Sequence, residues 1–219
     1  MAGFFLTFEG SEGCGKSTQI ERLVTACGKT GVSPLVTREP GGTLVGEEIR
    51  NLLKHSHAGD AMVPESELLL FSASRAQLVC EVIIPALENE RLVICDRFFD
   101  STTVYQGVAR RLDPVDVATM NRFAVGTCIP DLTIVLDMDA QVALQRARTG
   151  RGAAALRDRM EEQEKEFYEA VRAGYLALAK TEPKRVRVVD SSGTPDETFE
   201  AICKILLESG HGIFQGLCA

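Results

Sequence analysis

The chain has 219 residues, 45% of them hydrophobic and 25% charged, and its 24 basic and 31 acidic groups leave a net charge of −7. That length suits one domain able to bury roughly 70% of its unfolded surface without metal or disulfide staples. The acidic balance argues against nucleic acid, which is gripped through a basic face, and no apolar run approaches the ~18 residues of a membrane span. Seven scattered cysteines with no CxxC pair point to reduced thiols, and His55 and His57, two residues apart, cannot share a helix face.

In chain order, the apolar run 4–9 reads as a buried strand. It ends in Glu9 and lacks a basic start, unlike a secretion signal, so cytoplasm is the expected location. GSEGCGKS (10–17) follows and satisfies G-x-x-x-x-G-K-[ST] in full, ahead of a helical stretch over 17–29. The loop from Gly10 through Ser11, Glu12, Gly13, Cys14 and Gly15 can turn successive backbone N–H groups onto phosphates, and the helix N-terminus adds positive charge. Lys16 is expected to reach the outer phosphates, and Ser17, followed by Thr18, to meet Mg2+. The substrate held here is a nucleoside triphosphate. Glu12 is anomalous, because a carboxylate beside phosphate is repelled unless it points elsewhere, at a hydroxyl or an ammonium group. That suggests a second substrate; a solvated loop residue is the plainer alternative. Cys14 has two readings as well: a thiol activated by the helix N-terminus and Lys16, or a space-filler turned inward.

Further strands are expected at 34–37, 92–96, 132–137 and 186–190. Helices are expected at 44–53, 67–87 (ended or bent by Pro85), 114–125, 140–147, 157–178 and 196–207. Strands alternating with helices make an α/β fold: a five-stranded parallel sheet with helices on both faces. Residues 1–209 form one domain, and 210–219 read as a loosely held tail. Strand-end acids recur at Asp96, Asp137 and Asp190, where ligands of open α/β sheets sit. Asp190 reads as a cap for the next helix, whereas Asp96 follows LVIC and precedes an arginine. Arginines at this edge (Arg38, Arg50, Arg75 and Arg97) offer planar forks for phosphate or carbonyl oxygens. Phe71 and Arg75 share a helix face and could stack a base and read its edge, or simply pack. Thr102 with Gln106, and Ser101 with Tyr105, repeat that spacing.

FEGSEGCGKST, TREPGGT, FSASRAQ, DRFFDSTTVYQG, PDLTIVLD and the stretch around RGAAALRDRME together resemble bacterial thymidylate kinase, of the P-loop nucleoside monophosphate kinase family, over essentially residues 3–208. The resemblance implies transfer of the ATP γ-phosphoryl to dTMP, with Mg2+, in a cytoplasmic homodimer. It implies that Glu12 faces the deoxyribose 3′-hydroxyl and that Phe71 stacks on thymine. Arg75, Thr102 and Gln106 would read the base edge, and Arg38, Arg50 and Arg97 would surround the acceptor phosphate. Tyr105 would lie where a ribose 2′-hydroxyl needs room, and Asp96 near the magnesium. Some family members carry an arginine inside the loop; Gly13 offers none here. The catalytic charge is therefore expected from a short lid at about 146–159, from Arg148 and Arg151 with Arg157 and Arg159 nearby, beside Lys16. Two rivals stay open: a related kinase of another monophosphate, and a P-loop ATPase acting as a switch.

Overall fold

The computed structural model describes residues 3–150 and 163–217. Five strands, β1 (Phe4–Gly10), β2 (Leu35–Arg38), β3 (Leu92–Asp96), β4 (Leu132–Asp137) and β5 (Val186–Asp190), form one parallel sheet in the order β2-β3-β1-β4-β5. The helices are α1 (Lys16–Lys29), α2 (Leu44–Lys54), α3 (Pro64–Leu78), α4 (Ile84–Glu88), α5 (Phe99–Thr102), α6 (Pro114–Val125), α7 (Ala140–Gly150), α8 (Lys165–Thr181) and α9 (Pro195–Glu208). Strand periodicity sorts the core into two layers. Phe4, Leu6 and Phe8 face a cluster with Leu23 of α1 and Ile202 and Leu206 of α9. Phe5 faces the other side, with Leu78, Ile83 and Phe98. Each such side chain contributes about 1.5–3 kcal/mol by leaving water.

Several elements depart from the sequence expectation. The third helix does not stop at Pro85: a π-helical turn at Val79–Ile83 joins α3 to α4. The widened turn precedes Pro85, whose ring would otherwise clash one turn back. The resulting run Pro64–Glu88 is, at 25 residues, long and apolar enough to cross a membrane by length and composition. Its first part packs against α2 and α6, its later residues Leu78, Val79 and Ile83 against Phe5 and Val93 of the sheet, and Arg75 and Glu67 are buried along it.

The segment after β3, not expected to be helical, forms α5 and a π-helical stretch, Thr103–Ala109. Residues 157–162 of the expected 157–178 helix lie outside the described residues, and α8 runs to Thr181. The tail is not loose up to residue 217. Phe214 and Leu217 are buried in the core, and the Phe214 ring meets Phe4 edge-on at 5.0 Å. Asp190 does not cap α9. Its carboxylate closes a turn on Ser192 N, and Thr194 with Glu197 makes the capping box.

Candidate active site

Chain order reverses at β1: the chain runs from β1 to β2 and β3 on one side, then to β4 and β5 on the other. The carboxyl ends of β1, β2 and β3 therefore face one crevice, the usual ligand position of such sheets. At the end of β1 the loop turns through Gly10, Gly13 and Gly15, all at positive φ. A Cβ at Gly13 would lie 2.1 Å from the Ala143 carbonyl oxygen, so no side chain fits there and no loop arginine can arise by substitution alone. Lys16 Nζ donates to the Ser11 and Gly10 carbonyls at 2.8 and 3.2 Å, bracing the loop from inside. Cys14 is 1% exposed and belongs to the core cluster with Leu6, Met138 and Ala143. Burial removes its sulfur from solvent, so the structure supports the space-filling reading over a reactive thiol.

A cavity of about 340 Å³ opens beside the loop, lined by Glu12, Gly13, Gly15, Lys16, Ser17 and Thr18, with Arg38, Arg50, Asp96 and Arg97 opposite. The sequence had singled out all of these. It passed over Glu39 and Lys54, which line the same space, as does Arg146 at the start of the expected lid. Asp96 Oδ1 is buried and meets no donor among the described residues. With the exposed hydroxyl of Ser17 on the same cavity, it gives an oxygen pair of the hard-donor type that suits Mg2+. Arg38 holds both Glu47 oxygens, at 2.8 and 2.9 Å, and Arg50 donates to the Pro40 carbonyl at 2.8 Å.

Arg97 is the hub. Its backbone sits at φ +70°, a left-handed conformation that non-glycine residues rarely adopt and that clusters at functional sites. Its guanidinium pairs with Glu12 at 2.9 Å, donates to Ser101 Oγ at 3.1 Å and Tyr175 OH at 3.3 Å, and lies 5.1 Å over the Tyr105 ring. Burial alone would raise the Glu12 carboxyl. Arg97, Lys16 and Lys54 outweigh it and hold the group down at about 2, so Glu12 is an anion throughout the working range. Behind Arg97, burial pushes Glu9 above the usual carboxylate range against the pull of Arg97. Glu9 accepts the backbone N–H of Phe98 at 2.8 Å and of Ser101 at 3.2 Å, and the hydroxyls of Ser101 and Tyr175 at 2.6 and 2.7 Å. A residue of β1 thus supplies the N-terminal cap of α5.

Glu12 and Arg97 also wall a second, less polar cavity with Phe71, Thr102, Tyr105 and Gln106, joined by Pro40 and Ser101. Phe71, Thr102 and Gln106, which the family resemblance groups around the base, line one cavity. Arg75 stands one layer back and is 1% exposed. Its Nε donates to Glu39 at 2.8 Å, Nη1 to Asn121 at 3.0 Å and Nη2 to Thr102 at 2.8 Å, which leaves two N–H groups without an acceptor among the described residues. Burial pushes its partner Glu39 up to about 7, against the pull of Arg75. Among the lid arginines, Arg148 lies in the last turn of α7, and Arg151, Arg157 and Arg159 fall outside the described residues.

Two adjoining cavities, one at a phosphate loop and one flanked by an aromatic ring, share a wall made by an anion–arginine pair. That arrangement suits phosphoryl transfer between two bound nucleotides. A family model described as thymidylate kinase matches residues 8–202. Curated relatives called thymidylate kinase include one from Syntrophotalea carbinolica, 46% identical over 201 residues (91% of this chain, 93% of the relative). Another from Geobacter sulfurreducens is 46% identical over 207 residues, covering 94% of this chain and 97% of the relative. A third, from Thermomicrobium roseum, is 46% identical over 205 residues, covering 94% and 95%. With a family match over most of its length and relatives this similar, the chain belongs to the thymidylate kinase family.

Proposed function

We infer that the chain transfers the γ-phosphoryl group of ATP to dTMP, giving dTDP and ADP. The observation that carries the reading is the Glu12–Arg97 pair on the wall shared by both cavities, because it sets a donor pocket directly beside an acceptor pocket. In this reading the loop amides and Lys16 bind the ATP phosphates. Arg97, with Arg38 and Arg50, orients the acceptor phosphate, and Glu12 faces the sugar hydroxyl. Phe71 stacks on the base, Thr102 and Gln106 meet its edge with Arg75 behind them, and Tyr105 closes the sugar side. Ser17 and Asp96 are the residues that would hold Mg2+, which supplies positive charge on the transferring phosphates. Transfer of this kind depends mainly on positioning and on charge stabilisation.

Coupled measurement of ADP release with dTMP, dUMP, CMP, GMP and AMP as acceptors tests the assignment. Release strongest with another monophosphate would support the related-kinase reading, and acceptor-independent release a switch ATPase. Phe71→Ala is expected to weaken dTMP binding by about 1–3 kcal/mol, with ATP binding largely kept, since that is the usual worth of base stacking. Unchanged dTMP affinity with a lowered Tm would make Phe71 a packing residue.

Arg148 and Arg151 are proposed to bring charge to the transferred group from the lid. An unchanged single-turnover rate after both are replaced by alanine would move that role to Arg157 or Arg159. A homodimer is proposed from the apolar stripe Leu69, Ala73, Cys80 and Ile84, exposed along α3, the π-helical turn and α4, and a cytoplasmic location from the family. The sequence offers an apolar face over 68–84 for such a contact, but Leu68 itself, at 5% exposure, turns inward.

A further inference from the structure

Gln106, 1% exposed, lies in the π-helical stretch and lines the cavity beside Phe71 and Thr102. Its carboxamide has a donor end and an acceptor end, and which of them meets a bound base decides what that base must offer. The structure settles the choice by chemistry. Gln106 Nε2 donates to Glu67 Oε1 at 2.8 Å, and Glu67 is itself 1% exposed on the first turn of α3. An ionised carboxylate only accepts, so the amide cannot turn over without setting two acceptors against each other in a buried place. Arg110 Nε lies 3.3 Å from the same Glu67 oxygen and favours its ionised form. Gln106 Oε1 meets no donor among the described residues, which leaves the acceptor end for the cavity.

We propose that Glu67 is a positioning residue for base selectivity: by holding the Gln106 amide with Oε1 free, it selects a pyrimidine carrying N3–H over one whose N3 is an acceptor. Thymine and uracil satisfy that demand, and cytosine does not. The proposal rests on the reading that this cavity takes the acceptor's base. A site built around one hydrogen bond rejects the mismatched analogue because its own polar group is left unpaired.

Equilibrium binding of dTMP and dCMP to the full chain tests it, since binding needs no turnover of the poor substrate. Glu67→Gln frees the Gln106 amide to turn over, so the dCMP-to-dTMP ratio of Kd is expected to fall about tenfold or more, with dTMP weakened and dCMP not. The double exchange Glu67→Gln with Gln106→Glu keeps a donor–acceptor pair, keeps the net charge, and again leaves an acceptor toward the base. It is expected to recover most of the wild-type ratio, and it carries the test alone if the single variant fails to fold. Equal weakening of both nucleotides in Glu67→Gln, or no recovery in the double exchange, would overturn the proposal. Phe71→Ala separates the two levels. Weakened dTMP binding there, with an unmoved ratio in Glu67→Gln, ends the positioning role and keeps the base pocket. Unchanged dTMP binding in Phe71→Ala removes the base pocket and the proposal with it.

Discussion

Arg97→Ala is expected to lower kcat/KM for dTMP by about 10²-fold or more while leaving affinity for a non-hydrolysable ATP analogue largely intact, because a desolvated charged donor in a phosphoryl-transfer site is worth that much. Two effects add in the same direction. The acceptor phosphate loses its central guanidinium, and Glu12, now without its partner at 2.9 Å, faces that phosphate with only Lys16 and Lys54 to offset its charge. Removing Arg97 should let the Glu12 carboxyl rise from about 2, with Lys16 and Lys54 still holding it down against burial. Arg97→Lys restores charge without the planar fork that spans Glu12, Ser101 and Tyr175, and partial recovery is expected. Steady-state kinetics with dTMP varied at saturating ATP, beside equilibrium binding of the analogue, makes the comparison. Equal losses of ATP and dTMP binding would remove Arg97 from the acceptor site.

Arg75→Ala is expected to destabilise the fold by about 3–5 kcal/mol, the usual cost of stripping one partner from a buried ion pair. Glu39 would be left buried with one oxygen already lacking a donor and the other newly orphaned, and Asn121 and Thr102 would each lose a partner. The loss should depend on pH with a definite sign. In the wild type Glu39 titrates near 7 in the folded state, above its unfolded value, so the folded chain holds the extra proton and stability declines as pH rises through roughly 4.5–7. Without Arg75 the folded value moves higher still. The variant then goes on losing stability above pH 7, where the wild type has levelled off, and the gap between them widens. Urea denaturation at pH 6 and pH 8.5 measures this directly. Adding Glu39→Gln to Arg75→Ala should flatten the pH dependence; a gap indifferent to pH would show that the cost comes from lost packing rather than from a stranded carboxylate.

Much of this protein was legible in its sequence, for reasons that are local. A phosphate loop is a matter of glycines at fixed spacing between a strand and a helix, so residues 10–18 could be assigned without tertiary information. The five strands are short apolar runs, four of them ended by an acid, and the described sheet follows them within a residue or two. What tertiary structure decided is where one element completes another. The stretch FDSTTVYQGVA is poor in helix formers and has no side-chain cap of its own. It becomes helical because Glu9, ninety residues earlier on β1, accepts the N–H groups of Phe98 and Ser101. Glu39 sits in the TREPGGT motif but its place on the site, like that of Lys54, is set by tertiary packing, with β2 paired to β3. Cys14 could be read two ways until its burial against Leu6 and Met138 was visible. The free end of Gln106 depends on Glu67 across 39 positions of chain. Local pattern determines which backbone can bind phosphate; only packing over distance determines which atom of a side chain is left to face a substrate.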